Sequence, residues 1–198
     1  TYFRSAAKPL IAINSLEAGI AERYGLNSKE IALISSSHTG EREHVEILSG
    51  IMEKIGVEEK HLQCGVHPPL YPEAAREMLL SGRLPSSIHC NCSGKHLGIM
   101  AAVKAKGWSL DDYHMPWHPI YEEVEKVISE FCGLPQASII KNIDGCGIPV
   151  YGVPLKNMAL AYANLVDTGF MGGKYGKSQS LLINAMTSHP YMLGGTDR

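Results

Sequence analysis

The run His89-Cys90-Asn91-Cys92-Ser93-Gly94-Lys95-His96-Leu97-Gly98 crowds two thiols, an amine, two imidazoles and a hydroxyl into one short segment. Behind it Leu97, Ile99, Met100 and Val103 recur at helical spacing. The segment is therefore predicted to turn from an extended lead-in into a helix, with Ser93 or Asn91 as N-cap and Gly107 closing the far end. On such a helix Cys92 and Lys95 share a face, and His96 points about a third of a turn away. A thiol at a helix N-terminus beside a cation has a lowered pKa, which suits a metal ligand or a nucleophile. Taken alone, C-x-C beside a histidine is a loose metal pattern, and a solvated turn with one buried cysteine has the same look.

Three further constellations can carry chemistry. In Ser5-Ala6-Ala7-Lys8 a hydroxyl and an amine stand three residues apart. In a helical first turn the two meet, Lys8 can take the Ser5 proton, and the helix N-terminus favours the developing alkoxide. This is the S-x-x-K spacing of penicillin-recognising serine enzymes, although a serine near a cap beside a solvated lysine gives the same string. Pro9 costs little backbone bonding this early in a helix. The loop Ser35-Ser36-Ser37-His38-Thr39-Gly40-Glu41 offers hydroxyls and free amides to a substrate, or merely an N-cap at Thr39.

The third is Asp144-Gly145-Cys146-Gly147-Ile148-Pro149, a turn whose glycines let backbone approach closely and whose thiol and carboxylate leave a strand end. A small buried cysteine in a tight turn is the plainer account. Cys92, Cys146 and a nitrogen from Lys95 or His96 would supply three ligands to a tetrahedral zinc, with water in the fourth position. Imidazole is the easier nitrogen, since a lysine must first lose a proton from a reference pKa of about 10.4.

The elements that must position these groups follow from periodicity and punctuation. Residues 1–4 are predicted extended. One helix is predicted over 5–23 through Leu10, Ile13, Leu16 and Ile20, ending at Gly25. Ser28 is the expected cap of a short helix leading to the serine-rich loop. Further helices are predicted over 41–55, 72–81, 119–133, 154–165 and 179–187, with a strand over 138–143. Residues 63–70 read as irregular, 109–113 as a brief helical turn, and 169–176 as a glycine-rich loop.

With 198 residues, 44% hydrophobic and 19% charged, the chain is expected to form a single unit over 1–198. A net charge of −2 without a charged run gives no reason to expect nucleic acid or an anionic membrane as partner. No apolar stretch reaches membrane-spanning length. The five cysteines lack the spacing of a small secreted domain and are read as reduced, in a cytoplasmic setting. Beginning at Thr1 without methionine and stopping at Arg198, the chain reads as a piece truncated at both ends.

Taken together, the blocks resemble the thermolabile, rhizobial type of L-asparaginase II, a serine-lysine family. The matching pieces are Tyr2-Phe3-Arg4-Ser5-Ala6-Ala7-Lys8-Pro9, Ser37-His38-Thr39-Gly40-Glu41 and Glu43-His44-Val45-Glu46. They continue with Leu62-Gln63-Cys64-Gly65, Asn91-Cys92-Ser93-Gly94-Lys95-His96, the Asp144–Pro149 turn, His189-Pro190 and Gly194-Gly195. The resemblance implies an α+β fold like that of serine β-lactamases and glutaminases, a mostly helical domain on an antiparallel sheet, of which this chain lacks the C-terminal part. It implies hydrolysis of L-asparagine to L-aspartate and ammonia. Ser5 with Lys8 matches the first Ser-Lys tandem, and Ser37 the serine of the second, whose lysine lies in the family beyond Arg198. Ser5 is preferred as nucleophile because its base is present. Cys92, Lys95 and Cys146 match a zinc site, which favours Lys95 over His96. Arg4, His96 and Asp144 match residues lining the substrate pocket. Cys90 departs from the pattern, standing where asparagine is expected. A homodimer is the expected assembly. The alternatives are a non-catalytic zinc-binding fragment and a β-lactamase-like or peptidase-like serine hydrolase, the latter disfavoured by the lack of a Lys-Thr-Gly string.

Overall fold

The structure is a computed structural model that describes residues 1–197, so Arg198 lies outside the described residues. Two helices carry almost no exposed surface and form the centre. The first, α1 (Lys8–Glu17), buries every residue from Lys8 to Leu16. It is shorter than the helix predicted over 5–23. Arg4–Ala7 is a 3-10 turn, and the chain breaks at Gly19, where φ of 75° leaves the right-handed region, before α2 (Ile20–Tyr24). Next, α3 (Ser28–Ile34) is capped by Asn27 rather than Ser28. Asn27 Oδ1 accepts from Glu30 N at 3.1 Å, and Glu30 Oε2 accepts from Asn27 N at 2.7 Å. The serine-rich loop follows, then α4 (Arg42–Ile55) and, past a prolyl stretch without regular structure, α5 (Pro72–Leu80).

The second central helix is α6 (Ser93–Ala105), buried from Ser93 to Val103. Its N-cap is Cys92, without a side-chain cap bond, and not Ser93 or Asn91. Ser93 is diverted: its hydroxyl donates to the Ile88 carbonyl at 2.9 Å. α6 lies on α1 and against α3. The close approach to α3 is set by glycines: a Cβ on Gly94 would stand 2.5 Å from the Leu33 carbonyl oxygen, and one on Gly98 would stand 3.2 Å from Ile34 Cβ. α7 (Ile120–Cys132) covers α1 from another side and ends at Gly133.

The sheet is small. β1 (Ile140–Ile143) starts after a 3-10 turn at Gln136–Ser138, so the strand predicted over 138–143 is shorter at its start. It pairs antiparallel with β2 (Pro149–Gly152), a strand the sequence reading missed because its proline and glycine read as turn residues. Tyr2 forms a bridge to Gly152, which ties the N-terminus to this hairpin. α8 (Leu155–Val166) packs on α7, a short irregular turn α9 (Phe170–Gly173) occupies the predicted loop, and α10 (Gly176–Ser188) packs on α3. α11 (Pro190–Gly194), also missed, returns to α3. Mostly helical with a two-stranded antiparallel sheet, the chain is α+β. Among the described residues no helix is long and apolar enough to cross a membrane.

Candidate active site

Lys8 opens the buried helix α1 and is 1% exposed. Its ammonium nitrogen lies 2.7 Å from Ser37 Oγ and 3.1 Å from the Asn91 carbonyl. The lysine three residues after Ser5 is thus bonded to the serine of the other tandem. Ser5 itself is exposed in the 3-10 turn, and no side-chain hydrogen bond is found for it among the described residues. The Lys8 side chain runs inward to Ser37 and the Asn91 carbonyl, whereas Ser5 stays on the exposed side of the turn. Burial pushes the Lys8 pKa down, opposed by neighbouring Cys92 and reinforced by Lys95. A larger share of neutral amine makes Lys8 a better proton acceptor at neutral pH.

Ser37, half-buried, is held by its neighbours. The next residue, His38, accepts from Gly40 N at Nδ1 (3.1 Å), so its proton sits on Nε2, 2.8 Å from Ser93 Oγ. Because Ser93 Oγ in turn donates to the Ile88 carbonyl, the chain Gly40–His38–Ser93–Ile88 fastens the loop to the start of α6. Burial holds His38 well below the ordinary imidazole pKa and keeps it neutral in this role. Asn91, whose carbonyl receives Lys8, is itself anchored by a bond from its N–H to His67 Nε2 at 3.0 Å. Neither His38 nor Asn91 stood out as functional in the sequence. The signal was there in the polar residues flanking Ser37 and Cys92, but both histidine and asparagine are common in turns.

The thiols converge next to Lys8. Cys92, Lys95 and Cys146 are all buried, and Lys95 Nζ lies 3.0 Å from Cys146 Sγ. The neighbouring Cys92 thiol and then burial push Cys146 up, while His96 and Lys95 pull it down. His96, fully buried, packs beside Cys146 and has its own pKa lowered by burial. All five cysteines are free. Among the described residues no trio of His, Cys, Asp and Glu is placed to hold a metal ion. Two sulfurs and one amine nitrogen is a different donor set, and it fits zinc in kind. Zinc takes sulfur and nitrogen ligands, and the Lys95 amine lies beside the Cys146 sulfur.

Nearer the surface, Arg4 Nη1 and Asp144 Oδ1 form an ion pair of 2.9 Å, with the arginine side chain 67% and the carboxylate 12% exposed. Arg4 takes a positive φ of 51°, which turns its side chain across to the Asp144–Pro149 segment. The structure thus joins Lys8 with Ser37, Lys95 with Cys146, and Arg4 with Asp144, leaving Ser5 as the isolated member of the predicted set. The family model described as L-asparaginase II matches residues 1–198. The chain belongs to the L-asparaginase II family. Membership places it among amidohydrolases, in line with a serine bonded to a buried lysine. A search of curated proteins returned no match.

Proposed function

We propose that this asparaginase II chain hydrolyses the side-chain amide of L-asparagine, with Ser37 as nucleophile and Lys8 as its base. The observation that carries the reading is the 2.7 Å contact between Ser37 Oγ and a buried lysine whose pKa burial lowers. Ser37 Oγ attacks the amide carbon while its proton passes to neutral Lys8. The resulting ammonium returns the proton to the departing nitrogen, so ammonia leaves and an aspartyl ester remains on Ser37. Water then attacks the ester carbonyl as Lys8 takes its proton, the ammonium returns that proton to the departing Ser37 Oγ, and L-aspartate is released. Arg4 can pair with the α-carboxylate and Asp144 with the α-ammonium, each exchanging its present partner for one on the substrate.

Cys92, Lys95 and Cys146 are the residues that would hold zinc, a positive charge that offsets the two thiolates and helps to order the pocket. His96 is read as a pocket residue. The free cysteines support a reducing, cytoplasmic setting. An architecture like that of serine β-lactamases is part of this reading, supported by a helical body bearing a small antiparallel hairpin.

A second nucleophile has a specific observation in its favour. Ser5 is solvent-exposed and directly follows Arg4, so an arriving substrate meets it first. Lys8 and Ser37 would then relay its proton. An asparagine-like acylating reagent followed by peptide mass spectrometry separates the two. Adduct on Ser37 is the expected result, and adduct on Ser5 alone transfers the nucleophilic role. Ammonia release from L-asparagine tests the reaction itself, and its absence from purified protein would sink the proposal.

A further inference from the structure

His96 is fully buried at the thiol cluster, and its two ring nitrogens are treated very differently. Nδ1 lies 2.8 Å from the hydroxyl of Tyr113, whose ring stands at 85° to the imidazole. Nε2 has no hydrogen-bond partner of normal geometry, although it belongs to a ring packed against Cys146. The Tyr113 oxygen also receives the backbone N–H of Gln63 at 3.0 Å. With that lone pair used, the phenolic proton of this 1%-exposed tyrosine needs an acceptor, and His96 Nδ1 is the one in reach. Were Nδ1 protonated instead, two donors would point at the same oxygen and the phenolic proton would be left buried without a partner, a costly arrangement.

We propose that Tyr113 is a positioning residue that fixes His96 as its Nε2–H tautomer, so that His96 enters the Cys92–Cys146 site as a hydrogen-bond donor and not as a metal ligand. The order is Gln63 N–H to Tyr113 oxygen, Tyr113 O–H to His96 Nδ1, and His96 Nε2–H towards Cys146. A protonated Nε2 has no lone pair for a metal, and Nδ1 is occupied by Tyr113. Lys95, one residue earlier on the same helix, is then the nitrogen left for a cation, even though imidazole is the commoner ligand. The Nε2–H can donate to a metal-bound Cys146 thiolate, which reduces the charge on that sulfur. This deepens the zinc reading given above, but the tautomer is a property of the protein with or without metal.

The test is a long-range proton–nitrogen NMR correlation on protein labelled with ¹⁵N-histidine, with the His96 signals assigned by their loss in His96→Gln. His96 is expected as a single Nε2–H tautomer in the native protein. In Tyr113→Phe, with folding checked by its melting transition, the pattern is expected to shift towards Nδ1–H or a mixture. An Nδ1–H tautomer in the native protein overturns the proposal. So does an unchanged Nε2–H pattern in folded Tyr113→Phe, and the native spectrum still decides if that variant does not fold. In protein loaded with ¹¹³Cd, scalar coupling from the metal to a His96 nitrogen would also overturn it. Protein that takes up no cadmium would count against the zinc site while leaving the tautomer result to stand or fall by itself.

Discussion

At the residue scale the decisive fact is which serine Lys8 touches. Sequence spacing put it with Ser5, and that expectation depended on one α-helical turn through both residues. Lys8 instead points into the interior and reaches Ser37, twenty-nine positions away, while Ser5 is left exposed in the 3-10 turn over Arg4–Ala7. Spacing of three is legible in a sequence, but a contact across loops is not. If Ser37 and Lys8 act as a couple, Ser37→Ala and Lys8→Met should each lower kcat for asparagine by roughly a thousandfold or more, and the double variant should be little worse than either. Multiplying losses in the double variant would show that the two act independently. A milder effect is expected for Asp144→Asn. The change weakens the partner of Arg4 and of the substrate ammonium, so KM should rise about tenfold with kcat nearly unchanged. A fall in kcat alone would instead place Asp144 at the reacting bond.

At the element scale the motif around Cys92 owes as much to packing as to chemistry. Gly94 was legible as part of a match, but its reason was not: it lies where α6 meets the last carbonyls of α3, and nothing in the local sequence announces that crossing. Adding a methyl group there must separate the two helices by a few tenths of an ångström or more. Because α3 leads directly into the Ser37 loop, the shift would also move Ser37 relative to Lys8. Gly94→Ala is therefore expected to destabilise the fold by about 2 kcal/mol and to reduce turnover even where the protein stays folded. Chemical denaturation and assay of the folded fraction check both, and wild-type stability would mean the helices adjust freely. The long amphipathic helices α4 and α7 were placed within a residue or two, since each has one apolar face and a glycine stop. β2 and α11 were lost because each is a short element that opens on a proline and closes on a glycine, which read as turn residues.

At the scale of the whole molecule, the last turns of the chain close over the start of α4. Glu41 accepts from Thr39 Oγ1 at 2.5 Å, Thr196 Oγ1 at 2.6 Å, Thr196 N at 2.9 Å and the Tyr191 hydroxyl at 3.1 Å. His44 stacks on the Tyr191 ring and donates from Nε2 to the Tyr191 carbonyl at 3.0 Å. Gly195 approaches so closely that any side chain there would strike Thr39 and Glu41. His189-Pro190 and Gly194-Gly195 therefore carry structural meaning as the ends of a clasp on the loop that bears Ser37. Burial alone would raise the Glu41 pKa, but the bonds from Thr196, Thr39 and Tyr191 outweigh it and leave it below the ordinary 4.5. A depressed carboxyl pKa contributes stability that is complete above the unfolded value and is lost as pH falls through the folded one. His44, lowered by burial below the ordinary 6.5, works in the same direction and begins to weaken the clasp at higher pH. Hydrogen exchange of residues 189–196 should accordingly quicken relative to the α1 core as pH falls below the ordinary imidazole value of 6.5, and more steeply below 4.5, once intrinsic exchange rates are divided out. Glu41→Gln should loosen the segment by about 2 kcal/mol at neutral pH and remove the steeper, acidic part of the response. An acidic response that survives this substitution would assign it to groups other than Glu41, and the clasp would then be held by packing around Tyr191 and Gly195.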